Sequence, residues 1–202
     1  MLIGYRLDNC LGKIPYLCNV NISYTRNNST IKMKTNALSV ANYFIELAAK
    51  DRHPLHLLGL MKRVYIAHGF ALALLEHGLL DPRFDRVEAW KYGPVIPSVY
   101  HSFKQYRKGE ITDFTVTVYQ SPSGELEFDT PKLTDRKEQM VVEMVWKRYY
   151  DYKDSQLVTL THREGTPWAA CYKEGENNEI PDGLTGLFYS KLVKIVIDGK
   201  EG

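Results

Sequence analysis

Residues 54–80, PLHLLGLMKRVYIAHGFALALLEHGLL, place Leu57, Leu58, Met61, Val64, Tyr65, Ala67, Ala71, Leu72, Leu74 and Leu75 at helical steps. From Phe70 onward the pattern is apolar nearly all round. A helix with no polar face cannot lie on a surface, so this one is expected at the centre of a helical bundle. Gly78 is placed to end it, and Pro82 would stop any continuation. Lys62 and Arg63 interrupt the run. No stretch free of Asp, Glu, Lys and Arg outlasts residues 64–75, well short of the roughly 20 residues that span a bilayer. No transmembrane helix is expected. The N-terminus has no basic region followed by an apolar core and a small-residue cleavage site, so the expected location is the cytoplasm.

Other helical segments surround that centre. In LSVANYFIELAAKD, Val40, Ala41, Phe44, Ile45, Leu47 and Ala48 form one face, with Ser39 placed as the cap. In EAWKYGPVIPSVYHSF, Pro94 pushes Gly93 out of the helical region and Pro97 suits a first helical turn. The segment reads as a stiff turn feeding a helix over about residues 96–107, with Val95, Val99, Tyr100 and Phe103 facing inward. Residues 114–128 then change period: Phe114, Val116 and Val118 alternate with Thr115, Thr117 and Tyr119, SPSG turns, and Leu126 and Phe128 alternate again. That is a β-hairpin. Asp135 and Glu138 have capping-box spacing before a helix facing inward through Val141, Met144, Val145 and Tyr149. A short helix ends at Gly165. Thr166, Pro167 and Gly175 cap, open and close another, and the tail DGLTGLFYSKLVKIVIDG favours a last helix. The fold class is therefore mainly α, a compact helical domain with one inserted β-hairpin.

Charge marks a boundary. Residues 1–32 carry a net +3, so the +2 of the whole chain leaves −1 for residues 33–202. A domain whose first task is gripping phosphates shows a basic excess, which argues against nucleic acid as the main partner. The polar, Asn-rich texture of NVNISYTRNNSTIK marks residues 1–32 as an N-terminal extension or the product of a mis-set start, with Met33 the natural start; a genuine arm packed on the domain is the alternative. Cys10, Cys18 and Cys171 are odd in number and lack CxxC spacing, which points away from disulfides and zinc.

Nucleotide-binding loops, the hydrolase elbow and the HExxH zinc helix have no counterpart in the chain. No cofactor is expected. His53 and His56 have a spacing that can serve a metal, but no carboxylate or cysteine completes a set. His68 reads as a hydrogen-bonded core residue. THREGTPW, residues 161–168, looks more like a site: His162 and Glu164 could supply base and acid, and Thr161 a nucleophile. The same residues also suit helix ends and caps with Trp168 packed inside. Trp90 and Tyr92 fit either a partner-facing surface or the core.

Three separated motifs in fixed order, LMKRVYIAHGFALAL, VEAWKYGPVIPSVYHSFKQY and LVTLTHREGTPW, resemble the Panacea domain, the SocA-like family that includes phage-associated GepA proteins. The likeness runs from about Ser39 to about Leu192. It rests on Ala89, Trp90, Tyr92, Gly93, Pro94, Val95, Pro97, Val99 and Tyr100, and on Thr161, His162, Pro167 and Trp168. The resemblance implies an antitoxin that neutralises a small toxin protein encoded beside it, or an adaptor that delivers the toxin to an ATP-dependent protease. Neither role requires catalytic residues. On this reading the shared motifs are scaffold or partner contact, and specificity sits in the 114–129 hairpin, the loop around Asn177 and Asn178, and the C-terminal tail. A hydrolase using His162 and Glu164 and a DNA-binding autoregulator are the rival readings.

Overall fold

The computed structural model describes residues 20–22, 35–121 and 123–198. Cys10, Cys18, Met33 and most of residues 1–32 lie outside the described residues. Among the described residues are seven helices, α1 (Ala37–Asp51), α2 (Leu57–Leu74), α3 (Pro97–Phe103), α4 (Arg136–Arg148), α5 (Asp154–His162), α6 (Pro167–Cys171) and α7 (Asp182–Asp198). Five short strands accompany them: β1 (Val20–Ile22), β2 (Glu88–Trp90), β3 (Gly93–Val95), β4 (Val116–Gln120) and β5 (Leu126–Asp129). The fold is mainly α with the inserted hairpin in place.

The apolar helix α2 takes the central position, contacting α1, α3, α4, α5, α7 and β3. By length and composition it could cross a membrane, but most of it is buried among these neighbours. It stops at Leu74, four residues before Gly78, because Glu76 already turns the chain with φ 62°. At the same end of the bundle, where Glu138 lies beside both Thr35 and His77, α1 starts three residues earlier than Ser39 as its cap would set it. Asn36 is the cap, accepting from the Ser39 N–H, while the Ser39 hydroxyl answers the Asn36 N–H. In α4, Asp135 caps the Lys137 and Glu138 N–H groups, but the Glu138 carboxylate takes the Thr35 hydroxyl instead of closing a box. Val142 and Trp146 fill the inner face of α4, and Met144 is exposed.

Buried polar side chains tie the elements together. His68 is wholly buried: its Nδ1 accepts from the Leu79 N–H at 3.1 Å and its Nε2 donates to Asp182 at 2.8 Å, joining α2, the following loop and the start of α7. It is a core histidine. Asp85 accepts from the Ala37 and Asp81 N–H groups and the Ser98 hydroxyl, fixing the starts of α1 and α3.

β4 pairs antiparallel with β5, with Val118 opposite Phe128, and parallel with β1, with Val20 opposite Val116. Asn42 roots this sheet on α1. Its amide donates to the Thr115 and Pro131 carbonyls at 3.1 and 3.0 Å, and its oxygen accepts from the Thr115 N–H at 2.9 Å. We expect Asn42→Ala to lower stability by about 2–3 kcal/mol, because three buried bonds are lost together. Urea midpoints would measure the loss, and hydrogen exchange should localise the loosening to the hairpin.

Candidate functional site: the junction of the three motifs

The EAWKYGPV motif is not a simple turn. Its residues form a β2–β3 ribbon, with Ala89 opposite Pro94 and Trp90 opposite Gly93, so that Lys91 and Tyr92 make a two-residue connection. Pro94 is tolerated in this strand because its partner Ala89 turns its N–H outward to Asn178, so the 89/94 pair makes no ladder bond that would need a proline N–H. On its other side β2 takes up the 178–180 segment: the Ala89 N–H donates to the Asn178 carbonyl and the Ile180 N–H to the Val87 carbonyl, both at 2.8 Å. Ile180 is thus buried, whereas Asn177 remains exposed. Val95 is buried, and Pro97 opens α3, placing the half-buried Tyr100 edge-on to Trp90 at 5.0 Å. Tyr92, at the ribbon tip, is 65% exposed.

The THREGTPW motif folds against that ribbon. Trp168 donates from Nε1 to the Trp90 carbonyl at 2.8 Å and stacks on Tyr172. His162 lies edge-on to Trp168, centroids 3.9 Å apart, with Nδ1 2.9 Å from the Val158 carbonyl and Nε2 3.3 Å from the Lys91 carbonyl. Burial holds its pKa below the usual histidine range. A neutral ring has one N–H for these two carbonyls, and the shorter contact places it on Nδ1. Thr161 is buried and its hydroxyl faces the Leu157 and Val158 carbonyls. Thr166 caps α6 from the Ala169 N–H, and the buried Pro167 opens that helix.

Beneath both motifs lies Lys62 of α2, fully buried. Its Nζ donates to the Pro94 carbonyl at 2.9 Å, and burial pulls its pKa down to about 7. Gly93, at φ 101°, has no side chain at this spot: a Cβ there would lie 2.9 Å from Lys62 Cε and Nζ and 3.2 Å from Thr161 Oγ1. All three motifs therefore meet at one packed point. The sequence reading passed over Lys62 as an interruption in an apolar run. The available signal was a charge in a helix with no polar face, which must be buried with a partner. Arg63 beside it is buried too, donating to the Tyr149 and Tyr152 carbonyls and lying 5.5 Å from the Trp146 ring.

Chemically, the arrangement is a lock. No hydrogen bond or ion pair joins His162 to Glu164 among the described residues, and Glu164 is exposed. No group of three His, Cys, Asp or Glu residues that could hold a metal occurs among the described residues. His53 packs on Trp146 and Tyr150, while the His56 backbone pairs with that of Glu110 in an isolated antiparallel β-bridge. A separate open groove of about 870 Å³ lies beside the hairpin, where Asn42, Tyr43, Glu46, Phe114, Asp129 and Lys132 line it. Burial, together with donation to Glu143 at 2.7 Å, pushes the Tyr43 hydroxyl up to about 12.

The scaffold is braced at this one junction, and apart from Tyr92 its large exposed apolar side chains lie elsewhere among the described residues. The profile of the family described as "Antitoxin SocA-like, Panacea domain" matches residues 60–169, which contain all three motif cores. Antitoxin SocA of Caulobacter vibrioides (strain NA1000 / CB15N) is 32% identical over 132 residues, covering 65% of this chain and 68% of that protein. The chain belongs to the SocA-like Panacea family. That membership supports an antitoxin role and implies a toxin partner in general. No solved structure matches the chain.

Proposed function

We propose that this protein neutralises a small toxin by binding it directly, in the cytoplasm and without catalysis, and that residues 33–202 form the binding unit. The motif residues from Trp90 to Tyr100 and from Thr161 to Trp168 act chiefly as scaffold, with Tyr92 the large apolar side chain among them that is presented to a partner. The observation that carries this reading is where large apolar side chains meet solvent. Leu126 and Phe128 on the hairpin are 60% and 59% exposed, and Leu187 and Ile195 on α7 are 66% and 67% exposed. Single exposed apolar residues are ordinary, but grouped ones mark interaction surfaces. Both groups lie in segments that the motifs do not include.

The test is co-expression of the full chain with the product of the adjacent gene, scoring growth and then co-purification. The expected result is a neighbour that is toxic alone, growth restored by this chain, and a stable complex. Rescue without a complex, abolished in a protease-deficient strain, would replace direct binding with delivery to an ATP-dependent protease. A harmless neighbour would overturn the antitoxin reading. His162→Ala should then be assayed for lost activity with an intact fold, as a hydrolase requires.

A further inference from the structure

The sheet order is β1–β4–β5, so β4 is paired on both sides and β5 on one. Among the described residues no strand pairs with the outer edge of β5. Open edges of this kind are usually blunted by charged side chains, lysine above all, or by proline, a bulge or a covering element. Here the edge reads Glu125-Leu126-Glu127-Phe128-Asp129. Residues 109–131 contain five carboxylates, Glu110, Asp113, Glu125, Glu127 and Asp129, and no Lys, Arg or His. Period two sends Leu126 and Phe128 to one face and Glu127 and Asp129 to the other. Leu126, Glu127 and Phe128 are all exposed. The Asn42 clamp holds the base of the hairpin on α1, so the edge is presented on a fixed support.

We propose that the outer edge of β5 is the docking site for an extended, basic segment of the toxin, which adds to the sheet beyond β5 as a further strand. Strand addition supplies main-chain hydrogen bonds to the open edge, and alternate side chains supply specificity. Apolar residues of the incoming segment would lie beside Leu126 and Phe128, and its cations beside Glu127 and the neighbouring carboxylates. Charge selects this occupant over a second copy of the hairpin, because two such edges would bring like charges together. The inference rests on the toxin-binding reading above.

The test uses the full chain and amide hydrogen exchange, first with a synthetic ten-residue peptide of alternating lysine and valine as the probe. Exchange at the alternate amides of residues 126–129 that point away from β4 should slow by about tenfold or more on binding, because these edge amides become hydrogen-bonded, while the amides paired to β4 are slow already. The Glu125→Lys/Glu127→Lys variant, with an unchanged melting temperature, should lose that protection, and a glutamate–valine peptide should give none. Edge amides already slow in the free chain would show the edge to be covered by the chain itself and would overturn the proposal, as would an absence of protection by the lysine peptide. The toxin complex is then examined in the same way. A stable complex that leaves these outward amides unprotected and tolerates both reversals overturns the docking site while leaving the antitoxin reading intact. Failure of the unaltered chain to bind any toxic neighbour removes both.

Discussion

Lys62→Met should flatten the pH dependence of stability between about pH 7 and pH 10 and stabilise the fold at pH 6. In the folded protein Lys62 titrates at about 7, against an ordinary value of 10.5. Between these values the unfolded chain holds a proton that the folded one lacks, so stability rises with pH, by up to about 1.4 kcal/mol per unit. Below the folded value both states are charged and the whole burial penalty, on the order of 5 kcal/mol, is present. Methionine fills a similar volume without a charge, but it leaves the Pro94 carbonyl without the bond from Nζ, which costs about 1–3 kcal/mol. The variant should therefore gain about 3 kcal/mol at pH 6 and converge on the parent near pH 9. Urea midpoints across pH 6 to 9 would show this. Parallel pH profiles in the two proteins would mean that Lys62 keeps an ordinary lysine proton in the folded state.

How much of this could be read from residues alone follows from the range of each interaction. The central position of α2 was legible because an all-round apolar helix has one solution. The hairpin was legible from its period, but period two does not say which face is buried. Thr115, Thr117 and Val118 turn out buried while Phe114, Leu126 and Phe128 are exposed, since the Asn42 clamp on Thr115 and Pro131, invisible to the period, fixes how the hairpin sits. Caps were legible to within a turn: Asn36 and Ser39 each answer the other, and either polar residue alone could have been chosen as the start. Glu76 was not legible as a helix stop, since a left-handed residue other than glycine leaves no compositional mark. At the junction, the motifs named Gly93, Pro94, Thr161, His162 and Trp168. What they could not supply was the convergence of residues 32 and 78 positions apart, Lys62 on Pro94 and Trp168 on Trp90, which only the packed bundle brings together.

Gly93→Ala should cost about 3–4 kcal/mol, a large share of the stability of an ordinary domain. Two effects combine. At φ 101° an L-residue is strained by about 1–2 kcal/mol, and the new methyl would enter a point already filled by Lys62 and Thr161, adding about 1–3 kcal/mol of overpacking. The Lys62 ammonium cannot swing away to water, because it is wholly buried and held by the Pro94 carbonyl. Adjustment must therefore come from the ribbon, shifting Trp90 off the Trp168 N–H and moving the Lys91 carbonyl relative to His162. A cycle of Gly93→Ala, Lys62→Met and the double variant separates the effects. The shorter, uncharged methionine should relieve the overpacking but not the backbone strain, leaving a coupling of about 1–2 kcal/mol. Strictly additive changes in stability would mean that the ribbon and α2 are not locked to each other at this point, and that the motifs meet in space without depending on one another.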